Sequence, residues 1–174
     1  MHKEARNFIA AIVARTGPGT SVWEIGGRAV NGEVRDLFRG ANYLSIDLLA
    51  GPGVDVVADG ATFAPGRMVD RVVCAEVLEH APNAEAIVVN AWARLAPLGW
   101  LIITCAGPER KPHSGVDGGA LRPDEWYRNI NPAYLAGWIK GAALADGSPV
   151  AALHVQHASD RGDVYAFAQK GCRQ

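Results

Sequence analysis

The sequence predicts an α/β fold built on a mostly parallel β-sheet. Short apolar runs rich in β-branched residues alternate with stretches of helical periodicity along most of the chain. One run, 100–105, is apolar almost without interruption, as expected of a strand covered on both faces. The last two strand-like runs are separated by a short polar segment containing Gly162, the spacing of an antiparallel hairpin.

In chain order, residues 3–15 place Phe8, Ile9, Ile12 and Val13 at helical spacing among charges and alanines, until Gly17, Pro18 and Gly19 stop the pattern. This predicts an amphipathic entry helix. A first strand over 21–25 ends at the flexible pair Gly26 and Gly27. Asn31 is then expected to cap a helix carrying Val34, Leu37 and Phe38 as far as Gly40. A second strand over 43–47 ends in Asp47, and a third over 54–57 follows the turn at 51–53. Their link is shorter than the dozen or so residues that parallel neighbours normally need, which predicts an extended or reduced crossover and strands that need not be adjacent. The fourth strand is read over 69–74, and residues 83–95 form a helix with Ile87, Val88, Ala91, Trp92 and Leu95 on its apolar face. The Pro97-Leu98-Gly99 turn leads into the fifth strand, 100–105. A long polar connection over 107–123 follows, of a kind that is usually functional or mobile. Asn131 and Pro132 then cap and open a helix through Leu135, Trp138, Ile139 and Leu144. Strands over 151–157 and 164–168 form the terminal hairpin.

The chain has 174 residues, 49% hydrophobic and 20% charged, and is expected to fold as one domain over 1–174. A chain of this size can bury roughly 70% of the surface that its unfolded form exposes. With 17 Lys and Arg against 18 Asp and Glu, the net charge of −1 gives no general attraction to nucleic acid. The first apolar stretch is too broken for a signal peptide or a membrane span, so a cytoplasmic protein is expected. Cys74, Cys105 and Cys172 are odd in number and far apart, which matches neither a disulfide framework nor paired zinc ligands. Cys74 and Cys105 lie in apolar runs and read as buried small hydrophobes.

Gly26 and Gly27 stand where a strand turns sharply, so backbone N–H groups there can approach a ligand with no Cβ in the way. Strand ends of this kind are where open α/β sheets bind ligands. A glycine turn alone is a weak signal. Asp47 strengthens it, because an acid at the end of the next strand, about 20 residues further on, is placed to accept hydrogen bonds from two ribose hydroxyls. Asp59, followed by Gly60, suits either an adenine edge or a solvated turn.

Taken in order, Glu24-Ile25-Gly26, Ile46-Asp47, Ala58-Asp59, the run Val69-Asp70-Arg71-Val72-Val73-Cys74-Ala75-Glu76-Val77-Leu78-Glu79-His80, and Leu95-Ala96-Pro97-Leu98-Gly99-Trp100 resemble the class I S-adenosylmethionine (SAM)-dependent methyltransferases. The likeness is greatest to the methyltransferase-11/23-type group, spans residues 20–106, and is most specific over Cys74 to His80. It implies a Rossmann-like sheet of seven strands with helices on both faces and the last strand antiparallel. It also implies SAM as cofactor, and S-adenosylhomocysteine as product, across the ends of the first, second and fourth strands. By the same comparison Glu24 and Gly26 face the methionine moiety, Asp47 the ribose, Asp59 the adenine region, and Ala75 and Glu76 the sulfonium; Gly27, Leu48 and Gly60 complete the cofactor-binding set. Arg28 departs from the pattern, standing where most relatives place a second glycine, so the loop must run differently there. The short link after Asp47 also removes the usual second helix, leaving that face of the sheet exposed or covered by a partner subunit, as in a homodimer.

Methyl transfer from a sulfonium needs a nucleophile in line with the S–CH₃ bond, so positioning and desolvation can supply most of the catalysis. A dedicated base is optional. Glu79 and His80 either take a proton from a substrate hydroxyl or amine or only shape their loop. His113, among Glu109, Arg110, Lys111 and Asp117, lines a substrate mouth or lies in a plain surface loop. Glu79, His80 and His113 are therefore the catalytic candidates. His113 and Asp117 have the types but not the number of ligands for a metal, and no metal is expected. Trp126, Tyr127 and Arg128 offer flat rings and a cation to a substrate, or serve as core and surface. Asn131-Pro132-Ala133-Tyr134 resembles the Asn-Pro-Pro-Tyr tetrad of amino-directed nucleic-acid methyltransferases without its middle proline, and reads as a helix cap. The function expected is methyl transfer from SAM to an oxygen or nitrogen of a small or medium-sized acceptor. The alternative is a non-catalytic SAM-fold binding module. A dinucleotide oxidoreductase is disfavoured because the turn at 26–28 lacks the full glycine fingerprint.

Overall fold

The computed structural model describes residues 2–173. The entry helix α1 (Lys3–Thr16) buries Ala5, Ile9 and Ile12, and Gly17 ends it at φ 78° with its N–H on the Val13 carbonyl. That positive-φ conformation is one that glycine adopts without a Cβ penalty. β1 (Ser21–Ile25) pairs in parallel with β2 (Asn42–Asp47) on one side and with β4 (Val69–Ala75) on the other. β4 pairs in parallel with β5 (Leu95–Ala106). The terminal hairpin of β6 (Val150–Ala158) and β7 (Asp163–Lys170) adds through β7, which is antiparallel to both β5 and β6. With β3 (Val56–Val57) at the far edge, the sheet order is β3-β2-β1-β4-β5-β7-β6, seven strands with β7 the reversed one.

Strand alternation divides the core between two faces. Val22, Val73, Ala75 and Ile102 pack against Ile9 and Ile12 of α1 and against Val34 and Phe38. Trp23, Ile25, Val72, Cys74, Leu101 and Ile103 face α2 (Ala84–Arg94) and α3 (Pro132–Asp146), meeting Ile87, Val88, Trp92, Leu135 and Ile139. Cys74 and Cys105 lie buried in this core, as expected. Trp92 is fully buried, and its indole N–H donates to Ser148 Oγ at 3.0 Å, so its one polar atom is satisfied. Truncation of such a residue to Ala costs about 3–5 kcal/mol. Asn131 caps α3 as predicted, its side chain accepting the Ala133 N–H at 2.8 Å. Among the described residues no helix is long and apolar enough to cross a membrane.

Three expectations need correction. The helix expected from Asn31 to Gly40 is a single 3₁₀ turn, Arg35–Phe38, preceded by Val34 with no side-chain cap. Gly32 sits at φ 126°, outside helical backbone, and Asn31 faces the 107–131 connection, close enough that a Cβ on Gly118 would stand 2.3 Å from its Nδ2. The second and third strands are direct neighbours: Ile46 pairs with Val56 and Asp47 with Val57, although β3 has only two residues. Polar contacts replace the missing crossover helix. Asp55 Oδ2 accepts the Ser45 N–H at 2.8 Å and an Arg35 Nη2–H at 2.7 Å, while the Arg35 guanidinium lies 4.7 Å from the Tyr43 ring centroid. Leu144, expected on the apolar side of α3, is 84% exposed.

Candidate functional site

The two glycines after β1 are required for different reasons. Gly26 has φ 80°, and a Cβ there would stand 2.0 Å from Val77 Cγ2. At Gly27 a Cβ would stand 1.7 Å from Ser45 Oγ and 2.4 Å from Glu24 Oε2. Both N–H groups donate to the Ile46 carbonyl, at 2.8 and 3.0 Å. They are therefore engaged with β2 rather than offered to a ligand, contrary to the sequence reading. What the glycines provide is space at the strand end. Glu24 is buried beneath them, and burial pushes its carboxyl above the usual range.

Asp47 closes β2 with Oδ1 accepting the Leu49 N–H at 2.9 Å and Oδ2 accepting the Arg28 N–H at 3.3 Å. Asp59 Oδ1 accepts the Ala61 N–H at 2.8 Å, and Gly60 lies so close to β1 that a Cβ would stand 2.5 Å from Ile25 Cγ2. Asn90 of α2 holds this turn down, donating to the carbonyls of Gly60 and Phe63 at 2.9 and 2.8 Å.

Two cavities share a wall made of Gly26, Asp47, Val77 and His80. One, about 480 Å³, lies over Glu24, Gly27, Ala75 and Glu76. The other, about 410 Å³, lies over Leu48, Asp59 and Gly60, with Ile87 beside them. Every residue that the sequence assigned to a cofactor thus borders one of two adjoining spaces at the same end of the sheet. Each volume falls within the roughly 300–1,000 Å³ typical of ligand pockets.

The catalytic candidates divide. His80 borders both cavities and His113 the larger one. Their rings meet edge to face at 5.0 Å, and Tyr127 packs against both, at 5.3 and 5.2 Å. Burial holds His80 down to about 4, so it is neutral at neutral pH. Glu79 lies behind them, fully buried and off the cavity walls, with Oε1 accepting the Ala106 N–H at 3.0 Å. Burial, reinforced by the Glu76 carboxylate, pushes Glu79 up to about 8. Trp126 is half exposed and borders neither of these cavities.

The connection over 107–131 forms a roof. Arg28 donates through Nη2 to the carbonyls of Gly115 at 3.1 Å and Val116 at 2.9 Å, so the side chain that departs from the glycine pattern ties the roof across the cavity. Ser114 Oγ donates to Glu125 at 2.8 Å, and Asp117 pairs with Arg122.

Sequence reasoning missed one polar cluster at the rim. His2 Nε2 lies 3.4 Å from Glu76 and 3.3 Å from Asp163, and these carboxylates raise it to about 10. Asp163 is fully buried, bonded by Tyr165 Oη at 3.0 Å and by Arg110 Nη1 at 3.1 Å. Glu76 itself has φ 57°, a left-handed conformation uncommon outside glycine and concentrated at functional sites. Residues 2, 76, 110 and 163 meet only after the sheet has formed, and no local pattern announces them.

No protein-family model matches the sequence, and no curated protein matches it. Solved structures do. The 1,6-didemethyltoxoflavin-N1-methyltransferase of Burkholderia thailandensis, with 1,6-didemethyltoxoflavin and S-adenosylhomocysteine bound, is 17% identical with a TM-score of 0.67, over 97% of this chain and 79% of that one. The N-methyltransferase NodS of Bradyrhizobium japonicum, in complex with S-adenosylhomocysteine, is 14% identical with a TM-score of 0.63, over 97% of this chain and 86% of that one. The magnesium protoporphyrin IX methyltransferase of Synechocystis, with bound SAM, is 16% identical with a TM-score of 0.59, over 98% of this chain and 80% of that one. Strand order, the single reversed strand and these superpositions together establish that the chain has the fold of the class I SAM-dependent methyltransferases.

Proposed function

We propose that the chain is a single-domain SAM-dependent methyltransferase acting on an oxygen or nitrogen of a small or medium-sized acceptor. The observation that carries this reading is that Gly26 and Asp47 border the same two adjoining cavities. The residues present fit the cofactor. The missing side chains at Gly26 and Gly27 open the strand end, and Asp47 keeps acceptor capacity for a ribose diol beyond its two backbone bonds. Leu48 and Ile87 give the second cavity an apolar wall for an adenine, with Asp59 and Gly60 at its edge. When bound, SAM supplies a methyl group on a positively charged sulfur.

The chain's own residues do the rest. Glu76, held against His2, places negative charge where the sulfonium lies by resemblance. The roof tied by Arg28 lies over the larger cavity and would limit the acceptor's approach, and orientation of this kind can supply much of the rate. His80, neutral at neutral pH, and His113 border the acceptor side and can take the proton of a hydroxyl or amine; Glu79 acts from behind them. The net charge of −1 favours a small acceptor over nucleic acid. Leu49, Val56 and Val57, exposed at the β2–β3 edge, support self-association as a homodimer, which sedimentation checks.

The test is incubation with SAM carrying a labelled methyl group and a panel of hydroxyl and amine acceptors. Label in any product supports the enzyme. Cofactor binding without transfer to any acceptor would favour the non-catalytic module instead, and failure to bind either SAM or S-adenosylhomocysteine would end both readings.

A further inference from the structure

We propose that Glu79, His80 and His113 form a binding site for a divalent transition-metal ion at the edge of the larger cavity. One carboxylate oxygen and one ring nitrogen from each histidine all lie within 4.8 Å of one another. Donors on bonds of roughly 2.0–2.2 Å to a common ion stand about 3–3.5 Å apart in a tetrahedral site. A contraction of about 1 Å therefore completes the set. His113, on irregular backbone, is the residue free to make it. Asp117, which the sequence paired with His113 in weighing a metal, is held by Arg122 instead, and it is Glu79 and His80 that meet His113.

Independent observations point to a ligand here. Glu79 Oε2 and His80 Nδ1 are both enclosed without a hydrogen-bond partner. A bound ion or water is the usual explanation of buried polar atoms of this kind. The other Glu79 oxygen is anchored by the Ala106 N–H, which orients the carboxylate. His113 Nδ1 donates to the Lys111 carbonyl at 3.1 Å, leaving Nε2 with its lone pair, the backbone-anchored arrangement found behind metal-binding histidines. Tyr127 packs on both imidazoles, and the Gly115 backbone lies so close that a Cβ there would stand 3.0 Å from His80 Cγ, so the His80 ring plane is fixed.

Two imidazoles and one carboxylate suit Zn²⁺, Co²⁺, Mn²⁺ or Fe²⁺ better than Ca²⁺ or Mg²⁺, which favour oxygen donors. Three protein donors leave a coordination position open, and two of the three residues, His80 and His113, border the larger cavity. The site stands on these donors alone; its use in activating an acceptor, in place of proton uptake by the two imidazoles, rests on the methyltransferase reading.

The test is titration of chelator-treated protein with Co²⁺, followed by absorbance and calorimetry, with Zn²⁺ as competitor. The wild type should bind one equivalent with ligand-field bands that Zn²⁺ abolishes. His113→Ala and Glu79→Gln should each weaken binding at least 10-fold. The exposed control His154→Ala should leave it unchanged. Glu79 is buried and its variant is the one at risk of misfolding, so His113→Ala, in the roof, carries the decision. S-adenosylhomocysteine binding measured on the same samples separates the two readings: stoichiometric Co²⁺ without cofactor binding sustains the site and removes the cofactor. Co²⁺ affinity that is equal in wild type and His113→Ala, or that is lost only with His2→Ala, overturns the proposal.

Discussion

The floor and the roof of the cavity are built in opposite ways. The floor comes from the ends of β1, β2 and β4, three parallel neighbours whose ladders fix the backbone and whose glycines have no room for a side chain. The roof comes from irregular chain over 107–131, held by scattered contacts: Arg28 to the carbonyls of Gly115 and Val116, Arg110 to Asp163, and the N–H groups of Gly107, Arg128 and Ile130 to the carbonyls of Gly162, Glu79 and Ala106. A floor of this kind accepts one molecular shape, whereas a roof of this kind can open locally at a small fraction of the global stability. The fold thus dictates where a cofactor would sit, and the roof decides what else may enter.

The largest expected effect is on the floor. Gly27→Ala forces a Cβ onto Ser45 Oγ and the Glu24 carboxylate, and Gly26→Ala adds a left-handed backbone to a contact with Val77. Each should lower stability by about 2–4 kcal/mol, from overpacking and, at Gly26, backbone strain, with loss of S-adenosylhomocysteine binding. Denaturant unfolding measures the first and calorimetry the second. If both variants fold and bind normally, the floor is not rigid and the contrast fails.

A smaller effect is expected on the roof. Arg28→Ala removes two charge-assisted bonds at a partly exposed position, so stability should fall by no more than about 1–2 kcal/mol. Hydrogen exchange should accelerate over 113–118 and remain slow in β1 and β4. Uniform acceleration would show that roof and floor open together.

A pH-dependent effect lies at the rim. His2 faces Glu4, Glu76 and Asp163, with Arg161 on Glu4 and Arg110 on Asp163. Its pKa is raised in the folded state, so its stabilisation is fully present below about 6.5 and is lost as pH rises through about 10. The stability difference between wild type and His2→Gln should therefore shrink across that interval. A difference that is flat or grows with pH would show that the two carboxylates do not hold His2 charged.

The same contrast explains what the sequence made legible. β1, β4, β5 and α2 were readable because burial on both sides of a strand, or along one side of a helix, leaves a periodic apolar record, as Trp23, Val72, Ile103 and Trp92 show. Gly26 and Asp47 could be located because one directly follows β1 and the other ends β2. The segment 31–40 misled because Asn31, a good cap by type, lies beside Gly118 of the roof and caps nothing there, and only the single turn Arg35–Phe38 is helical. The pairing of β2 with β3 was hidden because Arg35 and Asp55 supply by polar contact what a helix usually supplies by packing. The meetings of His2 with Asp163, and of Glu79 and His80 with His113, are products of topology, and no spacing along the chain foretells them.

The most direct test of the central claim is calorimetric titration of S-adenosylhomocysteine into wild type and Asp47→Ala. One site per chain is expected in the wild type. In the variant, binding should weaken by about 10- to 100-fold with the fold intact, because charge-assisted bonds to a ribose diol are each worth roughly 1.5–3 kcal/mol. Equal affinity in the two proteins, or no binding by the wild type at high micromolar concentration, would contradict the assignment.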